Sequence, residues 1–209
     1  MIKLHHLNNS RSHRVLWLLE ELGAPYEIVH YKRDATTRLA PPELKKIHPL
    51  GKSPVITDGN LVVAESGAII EYLTKKHGKG KFWPAESAAN WVDHTHWMHF
   101  AEGSAMLPFL MALYVSFLGE AGAPLKPRIE SEITNHLTYM EGALAKRDFF
   151  AGSEFTAADV QMSFILEVAD TSQRLEPYPK LKGLLQRLRE RPAYKRATEK
   201  GGPLELMRR

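Results

Sequence analysis

The 209-residue sequence contains no cysteine. That absence excludes disulfides, thiolate metal sites and any nucleophilic or redox thiol belonging to the protein itself, so sulfur chemistry here must use a sulfur that arrives from outside. No apolar run is long enough to cross a bilayer, and the opening "MIKLHHLNNSRSHR" lacks the apolar core of a secretory signal. A soluble, cytoplasmic protein with no membrane partner is expected. An excess of one charge is also missing: 28 Lys and Arg stand among 24 Asp and Glu, a net charge of +4 with no basic stripe. Nucleic-acid binding is therefore not expected. Repeats and low-complexity runs are absent, and the basic end from 195 to 209 reads as solvated and partly frayed.

What is present falls into two parts. The first alternates like an α/β unit. "IKLHHL" reads as a strand, and Val15, Leu16, Leu18, Leu19 and Leu22 then form the apolar face of a helix that stops at Gly23. "YEIVHYK" alternates as a half-buried strand. A Pro, Arg and Lys-rich stretch from 32 to 50 reads as loop with a short helix over 43–47. "PVITDGNLVV" places two β-rich runs around Asp58, Gly59 and Asn60, a hairpin signal. "ESGAIIEYLTKKHG" reads as a helix starting at Ser66, with Gly78 beyond its end. After a linker at 79–84 no strand pattern remains, and helical spacing runs over 88–118, 127–146, 157–174 and 178–191, with a short helix from Ala193. The expectation is an α/β domain over 1–79 in the order βαβ, α, ββα, followed by an all-α domain over 85–209.

Three stretches, "SRSHRVLWLLEELGAPYE", "HPLGKSPVITDGNLVVAESGAIIEYL" and "FTAADV", resemble the glutathione transferases along nearly the whole chain. The resemblance implies a thioredoxin-like domain followed by a helical one, glutathione as co-substrate, a small apolar electrophile as second substrate, and a homodimer. It implies that Pro54 is cis and that Ser53 offers its backbone to the cysteinyl part of glutathione. Taken alone, Ser66 is an ordinary helix N-cap. By resemblance Glu65 and Ser66 grip the γ-glutamyl end, which suits the positive end of a helix. Lys52, with Arg38 as helper, would meet the glycine carboxylate, and Glu102 the γ-glutamyl amine. "FTAADV" carries a capping box, Thr156 with Asp159, and is a folding signal rather than a catalytic one.

The reactive end is expected where the first strand becomes a helix. A free thiol has a pKa near ~8.5, so the protein must favour the thiolate with donors and positive potential. A serine hydroxyl serves by donating a hydrogen bond rather than as a base. By resemblance to the serine-type classes that residue is Ser10, with Asn9, whose amide also donates, as the alternative. Ser12 reads as the N-cap of the helix, and Arg11 as either a source of positive potential or a solvated side chain. Trp97, Phe100, Met106, Phe109 and Met111 read mainly as core, a few lining the electrophile pocket by resemblance. Among His94, His96 and His99, residues two apart on a helix point to different faces and no acidic partner falls at a zinc-binding spacing such as HExxH, so no metal is expected. His5 and His6 read as packing or hydrogen-bonding residues.

The resulting expectation is conjugation of glutathione to small apolar electrophiles. A glutathione-binding carrier with little turnover, or a glutathione-dependent peroxidase or isomerase, would use the same residues.

Overall fold

The computed structural model describes residues 1–206. Two compact units emerge, Met1–Ala85 together with Arg187–Arg209, and Glu86–Gln186 between them. The second domain expected over 85–209 therefore gives up its last segment to the first unit.

The first unit is built on a four-stranded sheet in the order β2-β1-β3-β4, with β1 Ile2–Leu7, β2 Tyr26–Tyr31, β3 Val55–Asp58 and β4 Leu61–Ala64. β1 and β2 are parallel (Leu4 opposite Ile28), while β3 runs antiparallel to β1 (His5 opposite Val55) and to β4 (Val55 opposite Ala64). Strand β1 is internal, and it buries Ile2, Leu4, His5, His6 and Leu7, a nearly continuous run rather than an alternation. Gly59, at φ 60°, supplies the positive φ that the tight loop between β3 and β4 needs. This is the thioredoxin-like arrangement that the sequence predicts.

Helix α1, Ser12–Leu22, buries every residue from Ser12 to Leu19 and ends where Gly23 turns left-handed and returns its N–H to the Leu19 carbonyl. Helix α2, Ser66–Tyr72, continues as a π-helical turn over Leu73–His77. Residues 195–201 of the end expected to fray are helical instead, the latter part of α8, Pro192–Gly201, which packs on α1, and the described backbone continues to Leu206, 8% exposed. Met207, Arg208 and Arg209 lie outside the described residues.

Two neighbouring glutamates fasten α8 to α1. Glu21 receives Arg191 Nε at 2.5 Å and Nη2 at 2.9 Å, and Glu20 receives Arg196 Nε at 2.7 Å, Lys200 Nζ at 2.5 Å and the Tyr26 hydroxyl. Burial alone raises the Glu20 pKa, but hydrogen bonds from Lys200, Tyr26 and Arg196 override it and hold the carboxyl at about 2. The folded value lies below the ordinary 4.5, so the stabilisation is present above pH 4.5 and lost as pH falls toward 2. A Glu20→Gln variant should lose about 2 kcal/mol at neutral pH, after discounting the screened, half-exposed Lys200 and Arg196. Its urea stability should also change less with pH across that window. An unchanged acid limb would show that the cluster is solvated decoration.

The second unit is helical. Its elements are α3 Trp91–Phe100, α4 Met106–Ser116, α5 Lys126–Ala143 and α6 Ala157–Thr171, and α7 Pro179–Glu190 crosses its boundary at Gln186. Helix α6 is its centre, buried continuously from Ala157 to Ala169, with α3 packed against it and α4 packed against α5. The single helix expected over 88–118 is interrupted by a π-helical turn at Ala101–Ala105. Pro108 gives the reason. It has no N–H to give the carbonyl four residues back, and its ring would meet that carbonyl; the wider π turn just before it, which the Met106 N–H closes onto the Ala101 carbonyl, makes room for both. The Thr156 and Asp159 capping box forms as predicted.

Candidate functional site

The loop over 8–11 leaves the C-terminal end of β1 and enters α1. Asn8 and Asn9 are held by Arg33, whose Nε donates to the Asn8 carbonyl at 3.2 Å and whose Nη2 donates to the Asn9 carbonyl at 3.2 Å. Its Nη1 reaches the Arg38 carbonyl at 2.9 Å, and its own N–H donates to Asn8 Oδ1 at 2.8 Å. Asn9 sits at φ 52°, a left-handed conformation that asparagine tolerates better than most residues. Its Oδ1 accepts the backbone N–H of Glu205 at 2.8 Å. A backbone amide can only donate, so this contact fixes which end of the carboxamide is oxygen. Nδ2 is left without a hydrogen bond to any described residue, on a half-buried side chain.

Ser12 does not take the capping role that its position suggests. Ser12 is not the N-cap: Arg11 precedes the helix without a side-chain cap bond, and Ser12 is the first helical residue. Its hydroxyl turns back to β1, accepting from Leu7 N–H at 3.2 Å and lying 2.9 Å from His6 Nδ1. The capping contacts come from Ser10, whose Oγ accepts the Ser12 N–H at 3.2 Å and whose carbonyl accepts the His13 N–H at 3.2 Å. The turn from strand to helix is tight, so the residue two positions before α1 is the one whose oxygen faces its free amides. The Ser10 hydroxyl donates inward, to the Leu7 carbonyl at 2.8 Å, with Ser12 Oγ also at 2.8 Å, and the residue is 4% exposed.

His6 ties this network to α8. Its Nε2 lies 3.0 Å from the Gly201 carbonyl, which can only accept, so Nε2 carries the proton and Nδ1 accepts from Ser12. Burial lowers the His6 pKa, against the Gly201 contact that raises it, and burial with His6 nearby lowers His13 to about 4. Both rings are neutral at pH 7. Gly201 is required here for space, because a Cβ would lie 2.7 Å from Leu16 Cδ2 and 3.0 Å from His6 Cε1.

The remaining predicted residues of the first unit gather at the same end of β1. Val55 lies opposite His5, so the chain just before β3 lies beside the end of β1. There the Ser53–Pro54 bond is cis, and Ser53 Oγ donates to the His5 carbonyl at 2.9 Å. The Ser53 backbone makes no hydrogen bond to another backbone group among the described residues. Ser66, 4% exposed at the start of α2, accepts Arg14 Nη2 at 2.7 Å, which leaves its own hydrogen to donate. Arg14 is 1% exposed, and it joins the first turn of α1 to the start of α2. Glu65 is exposed at φ 67°, an uncommon conformation for a residue other than glycine. Lys52 is exposed, as is Arg38, which sits at φ 61°.

Glu102 belongs to the second unit, in the π-helical turn. So do Trp97, Met106 and Phe109, which are buried core, whereas Met111 is 37% exposed. Among the described residues no group of His, Cys, Asp and Glu is placed to hold a metal ion, and no helix is long and apolar enough to cross a membrane.

The description "Glutathione S-transferase, N-terminal domain" matches residues 1–75, and "Glutathione S-transferase, C-terminal domain" matches residues 98–192. The chain belongs to the glutathione S-transferase family. Among curated relatives of this glutathione transferase, glutathione S-transferase 3 of Schizosaccharomyces pombe is 39% identical, covering 96% of this chain and 88% of its own. Glutathione S-transferase 1 of Saccharomyces cerevisiae is 32% identical over 98% and 97%. A solved glutathione S-transferase from Actinobacillus pleuropneumoniae superposes with a TM-score of 0.89 at 34% identity, covering 100% of this chain and 97% of that one. A sphingomonad enzyme complexed with glutathione shares the fold, with a TM-score of 0.80 at 24% identity over 96% and 98%. The parts of the candidate site that the sequence did not reveal are the Arg33 contacts to Asn8 and Asn9, the Arg14 contact to Ser66 and the Glu205 amide. A backbone amide 196 residues from Asn9 has no signature in the sequence at all.

Proposed function

We propose that the protein binds glutathione through its first unit and transfers the thiolate to small apolar electrophiles. The observation that carries this reading is the Asn9 amide, whose Oδ1 is taken by the Glu205 N–H so that Nδ2 is a donor with no hydrogen bond to a described residue, in the loop at the end of β1. Asn9 is then the leading donor to the sulfur, and Ser10, whose hydrogen already has acceptors, shapes the turn that presents it. The thiol gives its proton to solvent, the thiolate attacks an electrophilic carbon, and a carbon–sulfur bond forms as the leaving group departs. The Ser66 hydroxyl, polarised by Arg14, and the Glu65 carboxylate suit the γ-glutamyl carboxylate and ammonium. The free backbone at Ser53 suits the cysteinyl amide, and Lys52 and Arg38 suit the glycine carboxylate. Glutathione is abundant where thiols are kept reduced, which favours a cytoplasmic setting.

The test is a stopped mixture of protein, glutathione and 1-chloro-2,4-dinitrobenzene, followed by the absorbance of the thioether. Saturable turnover supports conjugation. Retention on immobilised glutathione with no turnover of any electrophile tried would return the carrier reading, and turnover of hydroperoxides alone would return the peroxidase.

A homodimer is the favoured assembly. Edge strand β4 exposes Leu61 and Val62, each at 44%, and α4 with the residues after it exposes Leu107, Met111, Tyr114 and Leu118 at helical spacing. Apolar surface of this kind marks an interface. A Val62→Lys and Tyr114→Glu double variant should sediment as a monomer where the parent sediments as a dimer. If both sediment alike, these patches lie outside the interface.

A further inference from the structure

The C-terminal segment after α8 reaches the loop that carries Asn9. Gly202, at φ 83°, turns the chain out of the helix, and three residues later the Glu205 N–H meets Asn9 Oδ1 at 2.8 Å. On its other side Asn9 is held by the guanidinium of Arg33, which binds its carbonyl and both the carbonyl and, through the Arg33 N–H, the side chain of Asn8. The side chain and the carbonyl of Asn9 are thus fixed from two directions. Leu206, only 8% exposed, anchors the tail immediately beyond the contact.

A carboxamide rotates easily about its last bond, and either end can face a ligand unless one end is already bound. Oxygen beside sulfur would repel the charged form, so an unrestrained asparagine must be ordered with nitrogen toward a thiolate, at a cost in rotational entropy that a pre-set amide does not meet. The Glu205 amide removes that choice. Arg33 adds a half-buried positive charge at the same loop, its pKa lowered first by desolvation and then by Arg38 and Arg11 nearby.

We propose that the C-terminal tail is a working part of the thiol site, its Glu205 amide and the Arg33 guanidinium clamping Asn9 so that Nδ2 faces the sulfur of glutathione. This rests on the reading of Asn9 as the donor. Glu205 and Arg33 are positioning residues, acting through Asn9.

Glu205→Pro removes the N–H while leaving the length of the tail. The thiolate of bound glutathione is followed by its ultraviolet absorbance as a function of pH in the parent, Glu205→Pro, Asn9→Ala and the double variant. Glu205→Pro should raise the pKa of the bound thiol by about one unit, with glutathione affinity held within about twofold. In the Asn9→Ala background the same change should add nothing, which a merely structural loss would not reproduce. If Glu205→Pro titrates like the parent while Asn9→Ala is raised, the tail clamp is overturned and the Asn9 donor stands. If Asn9→Ala itself titrates like the parent, the donor reading falls and the clamp falls with it. Should the proline variant not fold, a chain ending at Leu204 lacks the same N–H and is held to the same outcomes.

Discussion

Asn9→Ala should raise the pKa of glutathione's thiol in the complex by about one to two units, because a hydrogen bond to a charged acceptor contributes roughly 1.5–3 kcal/mol and each unit corresponds to about 1.4 kcal/mol. The thiolate fraction near pH 6.5 then falls, and kcat/KM with it, by about 10- to 100-fold. At a pH above the new pKa the thiolate forms anyway, so most of the activity should return. Ser10→Ala behaves differently if Ser10 shapes the turn. Its oxygen accepts the Ser12 N–H, so its removal should cost about 1 kcal/mol of stability while the thiol titration changes little. Measured side by side, the two pH profiles separate donor from scaffold. A raised thiol pKa in Ser10→Ala with none in Asn9→Ala would restore Ser10 as the donor.

The choice between those two residues marks the limit of what the sequence carried. Strand and helix order, the hairpin at Gly59, the stop at Gly23 and the Thr156 capping box are local, each determined by residues a few positions apart, and all are present. The break at Ala101–Ala105 was missed because a hydrophobic pattern does not register a missing N–H, although Pro108 was there to be weighed. Around the end of β1, which of Ser10 and Ser12 faces the amides of α1 was not legible. Capping depends on which oxygen faces the amides, and that is a matter of loop geometry rather than spacing. The placement of α8 on α1, and with it the Glu205 contact, depends on pairs some 170 to 200 residues apart, such as Glu21 with Arg191 and Asn9 with Glu205. Periodicity is silent at that range.

The largest effect on stability is expected at Asp159, in the second unit. Its carboxylate is fully buried, Oδ1 accepting the Phe150 N–H at 2.9 Å and Oδ2 the Thr156 N–H at 2.8 Å. Asp159→Ala strands both buried donors and opens a gap beside the first turn of α6, so a loss of about 3–5 kcal/mol is expected in urea unfolding. Asp159→Asn keeps the shape and one acceptor, and roughly half that loss is expected. Burial pushes the Asp159 pKa up to about 6 against the pull of Phe150 and Thr156. Because the folded value lies above the ordinary 3.8, the native state holds a proton that the unfolded chain releases between those values. Asp159's own contribution is therefore greatest below pH 3.8 and declines as pH rises through about 6. The stability gap between the parent and Asp159→Asn, which has no proton to exchange, should narrow over that interval. A gap that stays constant with pH would mean that the two backbone donors keep the carboxylate ionised throughout, and that its stabilising role is hydrogen bonding alone.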